Sequence, residues 1–531
     1  MLLVLACILL SPGARAQLTP PPDGGYNNAN TAEGTDALYN GAGSFDNTAV
    51  GFDALYSTTF GGANTATGSR ALLSNTSGGS NTATGTNSLF TNTTGSFNTA
   101  DGTSALANNI TGNNNTATGN NTLINNNADN NTANGYQALY KNVIGNGNTA
   151  SGTNALFSNL ADGNTAMGFD ALYSNTTGTG NNADGYQALY TNNIGINNTA
   201  EGYQSLYFND VGTNNTAEGW RAMYRTTTGG YNAAFGEQAM AFNVGGSDNA
   251  AFGTTALFHN ASGNSNGAFG FSALVSNTTG GANTGCGTNA GYSTTTGNNN
   301  VSVGTNSLLN NIVGSGNIAV GYQAGHDVVN SNNIEIGHLG TATDSGVVRI
   351  GTPVTHTKTY IAGIAQTMLM GATVPVRITA QGQLGMMTSS ARFKEAIKPM
   401  GKASDAILAL KPVSFRYKPD LDPEKVPQFG LIAEEVEKVD PDLVVRDDKG
   451  KPFTVRYDAV DAMLLNEFLK EHRKVEEQAT TIAVLKSTAA LQQEAIETLT
   501  TSVQKQAAQI EKVNAQLVVD RNAGRLVSLN R

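Results

Sequence analysis

Small, apolar and polar residues alternate with a fixed period over residues 24–330 of this chain. Asn recurs every 17 residues from Asn30 to Asn317, with two steps of 16. Ala usually stands two residues after each Asn, Gly always stands four residues after it, and Leu or Met usually stands eight residues after it. A period with one small, one Gly and one large apolar position predicts a β-solenoid, in which each coil buries its apolar side against neighbouring coils.

Each part of the repeat has its own predicted role. Segments such as "NTATG" predict short strands with Ala pointing inward, and Gly follows where the chain bends or packs against backbone. The segment "GFDALY" at 51–56 supplies the core Leu from a corner or a single helical turn, and stacked Asn residues form a hydrogen-bonded ladder. Such a core is narrow, so wrapping three chains together would bury more apolar surface.

Charge divides the chain into two parts. The 30 Lys and Arg residues against 40 Asp and Glu give a net charge of -10, which argues against a nucleic-acid-binding surface. Between residues 17 and 345 the basic residues are Arg70, Lys141, Arg221 and Arg225, so most of the positive charge lies in the C-terminal third. The C-terminal third is therefore predicted to be a different kind of domain.

The N-terminus "MLLVLACILLSPGARAQ" is an apolar run that ends in Ala14-Arg15-Ala16, the small-x-small form that signal peptidase cleaves. It predicts a signal peptide at 1–16 and a secreted or cell-surface protein, with a phage-type fibre as the alternative. Cys286 would be the one thiol of the mature chain, so no disulfide forms within it. No other run approaches the roughly 18 apolar residues of a membrane span, so none is expected in the mature chain.

Residues after 388 predict a small α+β domain. Its expected elements are a helix "SDAILALK", strands "VSFRYKP" and "FGLIA", a helix "EEVEKV" stopped by Pro441, and a strand "FTVRYD". Asp458 and Asp461 resemble N-terminal caps of a long helix that begins "AVDAMLLNEFLKEH".

That helix continues as heptads, which predict a coiled coil. The first core position is occupied by Ile482, Ala489, Ile496, Val503, Ile510 and Leu517, and the second by Leu485, Gln492, Leu499, Gln506 and Val513. Branched residues at the first position and two Gln at the second favour a parallel trimer, with a dimer as the alternative. A homotrimer is therefore the predicted partner state.

Two resemblances to known families follow from these motifs. The repeats, over roughly residues 26–340, resemble the head repeats of trimeric autotransporter adhesins, which share the Asn-x-x-x-Gly phrase. The C-terminal motifs "SSARFKEAI", "ILALKPVSFRYKP", "FGLIAEEVEKVDPDLV" and "VRYDAVDAMLLNEFLKEH" resemble the intramolecular chaperone auto-processing domain of phage tailspikes, endosialidases and the myelin regulatory factor. The second resemblance covers residues 389 to about 485 and implies a domain that folds the preceding β-fibre as a trimer.

The same resemblance implies a single-turnover serine autoprotease that cuts the chain next to Ser389. Ser389 matches the family's nucleophile, Lys394 its base and Arg392 the Arg of the family pattern Ser-Asp-x-Arg-x-Lys, whereas Ser390 replaces the Asp. From chemistry alone, attack on the carbonyl before Ser389 passes through a five-membered ring, and attack on its own carbonyl requires a four-membered ring. The family assigns the cut only to the neighbourhood of this Ser.

The sequence thus predicts a mainly β chain, an exported trimeric fibre or adhesin-like protein with an unidentified surface ligand, for which a glycan is one candidate. Its predicted parts are a signal peptide at 1–16, a repeat β-solenoid rod at 24–340, a β-rich connector at 341–388, a chaperone auto-processing domain at 389–475, and a long helix with a coiled coil at 458–520. The alternative is a structural fibre that keeps its C-terminal module as a permanent trimer clamp.

A glycan-processing enzyme is a third hypothesis, which the repeat does not favour. Acidic residues such as Glu33, Glu201 and Glu218 occupy a variable position of the repeat, and no recurring pair of carboxylates supplies an acid and a base. The five His residues lack metal-ligand spacing, and the repeat lacks the regular Asp of calcium-binding coils. Neither a metal nor another cofactor is predicted.

Overall fold

The computed structural model describes residues 27–362, 364, 373–379, 382–447, 449–493 and 506–516. The chain divides into two compact units, Met1–Tyr360 and Ile361–Arg531. A β-solenoid with repeats of about 17 residues fills the described part of the first unit, which confirms the mainly β fold class. The predicted signal peptide at 1–16 lies outside the described residues.

The solenoid contains one sheet of 20 strands, each contributed by one coil. Every strand pairs in parallel and in register with the strand of the next coil, so that Ala150, for example, lies beside Ala166. The sheet continues beyond residue 340, the predicted end of the rod, to Ile350. The strands are β1 (Thr31–Glu33), β2 (Thr48–Val50), β3 (Thr65–Thr67), β4 (Thr82–Thr84), β5 (Thr99–Asp101), β6 (Thr116–Thr118), β7 (Thr132–Asn134), β8 (Thr149–Ser151), β9 (Thr165–Met167), β10 (Asn182–Asp184), β11 (Thr199–Glu201), β12 (Thr216–Glu218), β13 (Ala233–Phe235), β14 (Ala250–Phe252), β15 (Gly267–Phe269), β16 (Thr284–Cys286), β17 (Val301–Val303), β18 (Ile318–Val320), β19 (Ile334–Ile336) and β20 (Val348–Ile350).

The core of the solenoid is a narrow column of Ala and Leu. The middle residue of each strand from β1 to β19 points inward and is buried, as at Ala150 in β8, while the neighbouring Thr149 is exposed. The Leu predicted to fill the core does so, and Leu139 and Leu156 are fully buried. Each such Leu contributes about 1.5–3 kcal/mol by leaving water. Because one coil supplies few of these groups, the core is stable only when many coils are stacked.

The Leu is supplied by a tight corner, and no helical turn forms there. Leu139 has a φ of 52°, in the left-handed region, and the same φ range recurs at the core Leu or Met of most coils. That conformation costs an L-residue roughly 1–2 kcal/mol. Burial of the side chain offsets the cost, and the Leu139 N–H donates a hydrogen bond of 2.9 Å to Ala155 O in the next coil.

The recurring Gly is required by both backbone conformation and space. Gly152 has a φ of +138°, which L side chains rarely adopt, and a Cβ there would lie 2.3 Å from Gly168 O in the next coil. Since that oxygen belongs to backbone, no side-chain movement could relieve the contact. Close backbone approach from Gly34 to Gly304, and a positive φ at every one of these positions including Gly321, explain why this position of the repeat is always Gly.

The predicted Asn ladder is present, and it is double. In the first column the Asn98 Nδ2 donates to Asn81 Oδ1 at 3.1 Å and to Gly112 O at 2.8 Å. A second column, eleven residues further along the repeat, was missed; there Asn109 Nδ2 donates to Asn92 Oδ1 at 2.8 Å. Both columns are fully buried, and they satisfy corner carbonyls that water cannot reach.

Aromatic side chains also stack from coil to coil. Tyr173, Tyr190 and Tyr207 form one such column, with ring centroids 5.3 and 5.1 Å apart and nearly parallel rings. The spacing follows the distance between neighbouring strands of a sheet, about 4.8 Å. Equivalent positions in successive coils are therefore held side by side along the rod.

The last coils replace the inward Ala with charged residues. Glu335 in β19 is 1% exposed and lies beside Arg349 in β20, and Arg349 donates hydrogen bonds of 2.9 and 2.7 Å to the two oxygens of Asp344. Burial, and then repulsion by Asp344, raises the pKa of Glu335 to about 7, while the hydrogen bond from Arg349 lowers the pKa of Asp344 to about 2. A polar end coil of this kind is typical of solenoids, because it closes the apolar core.

The described part of the second unit combines short strands with 3₁₀ helices and α-helices, and residues 506–516 form a further helical segment. In chain order it contains β21 (Arg377–Ile378), β22 (Leu384–Gly385), 3₁₀ helices Ala391–Phe393 and Gly401–Ala409, β23 (Val413–Phe415), β24 (Gln428–Gly430), α1 (Ala433–Val439), a 3₁₀ helix Pro441–Leu443, β25 (Val444–Arg446), β26 (Pro452–Val455) and α2 (Tyr457–Gln493). The strands pair as three antiparallel ribbons, β21 with β22, β23 with β24, and β25 with β26. Its small core is formed by Val436, Leu443, Val444, Val455 and Met463.

Three details differ from the sequence prediction. The expected helix "SDAILALK" is a 3₁₀ helix, and β25 was not predicted because its apolar run is too short to stand out. The predicted caps are wrong, since α2 begins at Tyr457 and Asp458 lies inside its first turn, where a carboxylate favours the positive end of the helix dipole. The Tyr457 hydroxyl accepts a hydrogen bond of 3.0 Å from the Leu431 N–H and so holds the helix start against the strand before α1.

The heptad positions of the predicted coiled coil are described in part. Ile482 and Leu485 on α2 are 50% and 61% exposed in the single chain, and Val513, in the helical segment 506–516, is 56% exposed. The side chains of Ala489 and Gln492 and the heptad residues at 496, 499, 503 and 517 lie outside the described parts. The coiled coil therefore stays a prediction.

Candidate self-processing site

A single 3₁₀ turn separates the two predicted catalytic residues. The turn spans Ala391–Phe393, with Ser389 before it and Lys394 as the residue that ends it. The Phe393 N–H donates to Ser390 O at 3.1 Å, and the Lys394 N–H donates to Ala391 O at 3.0 Å. The turn forms because Ser390 is extended and the following three residues can close these two hydrogen bonds. Ser389 and Lys394 thus flank the same short turn.

Within one chain, both side chains lie in solvent. Ser389 and Lys394 are exposed, and among the described residues neither side chain has a hydrogen-bonding partner. A Ser hydroxyl becomes an effective nucleophile only beside a base, and a Lys amine serves as that base only where burial lowers its pKa. The dry surroundings that this chemistry requires are not supplied by one chain.

The turn also positions the Arg of the family pattern. The guanidinium of Arg392 lies over the ring of Phe393, 4.6 Å from its centroid, and Phe393 itself is 59% exposed. Ser390, which stands where the pattern has Asp, begins the turn without a side-chain capping hydrogen bond.

A second Ser and Lys pair lies elsewhere in this unit, and the sequence did not indicate it. Ser404 is fully buried, its hydroxyl donates to a Glu467 carboxylate oxygen, and Lys470 Nζ donates to Ser404 Oγ at 3.0 Å. Asn466 Nδ2 donates to the same hydroxyl oxygen at 2.6 Å. Ser404 comes from the 3₁₀ helix Gly401–Ala409 and its partners from α2, more than sixty residues later, so no local motif could have revealed the cluster.

The charges around Ser404 identify a structural clamp. Lys470 Nζ lies 2.6 Å from both Asp405 and Glu467, and these hydrogen bonds raise the pKa of Lys470. A Lys held in its protonated form cannot take a proton from Ser404, so this pair lacks a base. Its role is to attach the 3₁₀ helix to α2 through one satisfied polar network.

The described residues give no sign of a cofactor site. Within them, no three His, Cys, Asp or Glu side chains are grouped so as to hold a metal ion. Nor does any helix of the described segments combine the length and apolar character of a membrane span.

The fold defines a β-solenoid rod followed in sequence by a small α+β unit with a long helix. Residues 389–445, from Ser389 into β25, match the family described as chaperone of endosialidase, which confirms the predicted chaperone domain. Comparison with curated proteins and with solved structures gives no match. Domains of this family act in trimer formation, and together with the solenoid they fit a trimeric fibre or adhesin-like protein.

Proposed function

We propose that this chain is an exported fibre whose C-terminal domain assembles three copies and then cuts itself away next to Ser389. The observation that carries the proposal is the start of the chaperone match at Ser389, after a solenoid that occupies the residues to Ile350. An autoprotease that releases a fibre requires a boundary of this kind between product and folding aid. Export and a surface location rest on the signal-type N-terminus.

Exposed apolar groups on α2 support the trimeric state. Leu464, Leu465 and Phe468 are 58%, 57% and 63% exposed in the single chain. Further along the same helix, Ile482 and Leu485 stand at the two heptad core positions and are also exposed. Apolar residues at such positions are normally buried against partner helices. Three copies joined through this helix would remove these groups from water.

Assembly is also what would activate the dyad. Burial of Lys394 by a neighbouring copy would lower its pKa and supply the neutral amine that Ser389 needs. Cleavage would then follow correct assembly, because an unassembled chain leaves Lys394 in solvent. The fibre would be released only after it has folded.

The proposed cut lies between Thr388 and Ser389. Lys394 takes the proton of the Ser389 hydroxyl, and Oγ attacks the Thr388 carbonyl carbon through a five-membered ring. The C–N bond breaks, the Ser389 nitrogen takes the proton back from Lys394, and an ester joins Thr388 to Oγ. Water then hydrolyses the ester, which leaves a Thr388 carboxyl group and a new N-terminal Ser389.

The second candidate is a fibre that keeps its C-terminal unit as a permanent clamp. One observation favours it: Ser390 replaces the Asp of the family pattern and makes no side-chain capping hydrogen bond in the turn. If Ser390 in place of this Asp prevents or slows cleavage, the variant Ser390→Asp will cut faster than the parent chain.

Intact mass of the purified chain tests the proposal. We expect the 54.9 kDa chain to yield a C-terminal fragment of about 15 kDa that begins at Ser389, whereas Ser389→Ala, Lys394→Ala and Lys394→Arg stay whole. Lys398→Ala, which removes a neighbouring exposed Lys, should cut normally. A trimeric parent chain that stays whole would refute cleavage and establish the clamp. A parent chain that stays monomeric would refute both hypotheses.

A further inference from the structure

The outward face of the solenoid sheet changes character at β13. From β13 to β20 the first and third residues of each strand, which point outward, are almost all apolar and include no charged residue. They are Ala233, Phe235, Ala250, Phe252, Gly267, Phe269, Thr284, Cys286, Val301, Val303, Ile318, Val320, Ile334, Ile336, Val348 and Ile350. We call this face of β13–β20 the apolar stripe.

The same face of β1–β12 is polar. Its outward positions carry mainly Thr, with Asp, Glu, Asn and Ser, and Val50 and Met167 are the apolar exceptions. Both halves share the same fold, and β13–β15 and β18 keep the inward Ala although their outward residues are already apolar, so the internal packing of these coils does not require the change. When the outward residues become apolar and the core residues do not change, the outward face is expected to contact a partner.

The stripe is continuous, because its strands pair in register from β13 to β20. The rings of Phe235, Phe252 and Phe269 stack along it with centroids 4.8 and 5.3 Å apart, and Phe252 and Phe269 are 39% and 41% exposed. Further along, Val348 and Ile350 are 62% and 71% exposed. Seven steps of about 4.8 Å and a width of about 10 Å give a footprint of about 340 Å². That area lies within the about 300–600 Å² of the largest apolar patch on a typical soluble monomer, and such patches are often functional.

We propose that the apolar stripe is where three copies of this chain pack together, each with its stripe towards a common axis, while the polar coils β1–β12 remain free for other contacts. This inference rests on the trimer of the proposed function and adds the surface that forms it. The stripe occupies the part of the rod that is nearest in sequence to the trimer-forming chaperone domain. Its lack of charge suits an identical partner, because facing copies of any charged residue would repel one another.

The size of the stripe makes its initial association, before any cut at Ser389, dependent on the C-terminal unit. A footprint of about 340 Å² is well below the about 800 Å² per partner of a stable free-standing interface. Copies already joined through the C-terminal unit meet at a high effective concentration, so a smaller interface is sufficient. The rods should therefore close together from the C-terminal coils, while the unassembled chain stays monomeric.

Cys286 provides a native probe, because this exposed residue lies on the stripe in β16. In a background of Cys7→Ser and Ser389→Ala, which keeps the C-terminal unit attached, it is the one remaining thiol of the chain. We expect a short bismaleimide to link most chains into covalent pairs through Cys286. The matched control is Cys286→Ser with Thr118→Cys, which moves the thiol to the equivalent outward position of β6, and it should give little linked product.

The outcomes separate this inference from the proposed function. Native mass spectrometry of the same samples reports the trimer independently of the thiol. A trimer in which Cys286 does not link, or links no better than Thr118→Cys, overturns the stripe while the trimer stands. A monomer overturns both.

A charge placed in the stripe gives a second test. Phe252→Asp should abolish most of the Cys286 linking and leave the far-UV circular dichroism unchanged, whereas Thr118→Asp should change neither. If Phe252→Asp fails to fold, Phe252→Thr, which copies the polar coils, should still reduce the linking several-fold. Linking at the parent level in a folded Phe252→Asp or Phe252→Thr chain would overturn the proposal.

Discussion

The buried Asn ladder is predicted to be a principal source of solenoid stability, and Asn98→Ala tests it. The Asn98 side chain donates to Asn81 Oδ1 and Gly112 O and accepts from the Asn115 N–H and Nδ2 at 3.0 and 3.1 Å. Substitution removes all four bonds. Gly112 O keeps a second donor in Asn109, but the buried Asn115 N–H loses the partner that the ladder gives it.

The magnitude follows from these bonds. Four lost hydrogen bonds at about 1 kcal/mol each destabilise the fold by about 4 kcal/mol. A second route gives a similar value: the buried Asn115 N–H left without a partner costs about 1–3 kcal/mol, and the other lost bonds add about 2–3 kcal/mol. We therefore expect a destabilisation of about 3–5 kcal/mol. The control Asn108→Ala removes one exposed bond, Asn108 Nδ2 to Asn125 Oδ1 at 2.9 Å, and should cost no more than about 0.5 kcal/mol.

Urea denaturation followed by circular dichroism measures the difference, at equal protein concentration and in a Ser389→Ala background that keeps one species. Hydrogen exchange read by mass spectrometry should show faster exchange in the coils on both sides of Asn98, because each coil depends on its neighbours. A free energy of unfolding for Asn98→Ala within about 1 kcal/mol of that for Asn108→Ala would refute the reasoning, since the four bonds would then contribute almost nothing net.

Three further changes test other parts of the rod by the same measurement. Leu139→Ala should lower the free energy of unfolding by about 2–5 kcal/mol, because the fully buried side chain leaves a cavity; a loss under about 1 kcal/mol would contradict a packed core. Gly152→Ala should lower the free energy of unfolding by about 3 kcal/mol or more, because of backbone strain and contact with the next coil. The control Gly147→Ala, at a φ of +65° with open space around it, should lower it by about 1 kcal/mol. Equal losses would contradict the argument from close backbone approach. The pKa of Glu335 is raised to about 7 in the folded chain, whereas the unfolded chain releases this proton near pH 4.5. The free energy of unfolding should therefore fall by up to about 3 kcal/mol as the pH rises from about 4.5 to about 7. Burial lowers the pKa of His338, which makes stability rise with pH and so opposes the effect of Glu335. The effect of the carboxyl group is therefore measured as the difference in pH dependence between the parent chain and Glu335→Gln. Identical pH profiles of stability for these two chains would contradict the prediction.

The repeat made most of the rod predictable. The Asn, Ala, Gly and Leu positions indicated the coil, its inward residue and its corner, because in a solenoid every coil repeats the same local environment. The second Asn column was not predicted from the sequence, because Thr58, Thr226 and Thr294 interrupt it and the first column already explained a ladder. The left-handed backbone of the core Leu could not be predicted, because Leu alone has no preference for that conformation.

The C-terminal unit was less predictable, because it has no repeat and its contacts join residues that are far apart in sequence. Its motifs indicated the chaperone domain and the two residues that flank its first turn, Ser389 and Lys394. The clamp of Ser404 with Glu467 and Lys470 joins groups that are far apart in sequence, and only the packing of the 3₁₀ helix on α2 brings them together.

The sequence by itself determined the periodic rod, the switch to a chaperone domain at Ser389 and the residues proposed to cut the chain. These depend on local spacing, which a linear pattern records directly. The tertiary structure decided what depends on neighbouring coils or distant segments: the double Asn ladder, the polar end coil around Glu335, the Ser404 clamp and the continuous apolar stripe on β13–β20. Outward residues 17 positions apart become one surface only when the coils are stacked in register, because stacking places equivalent side chains about 4.8 Å apart.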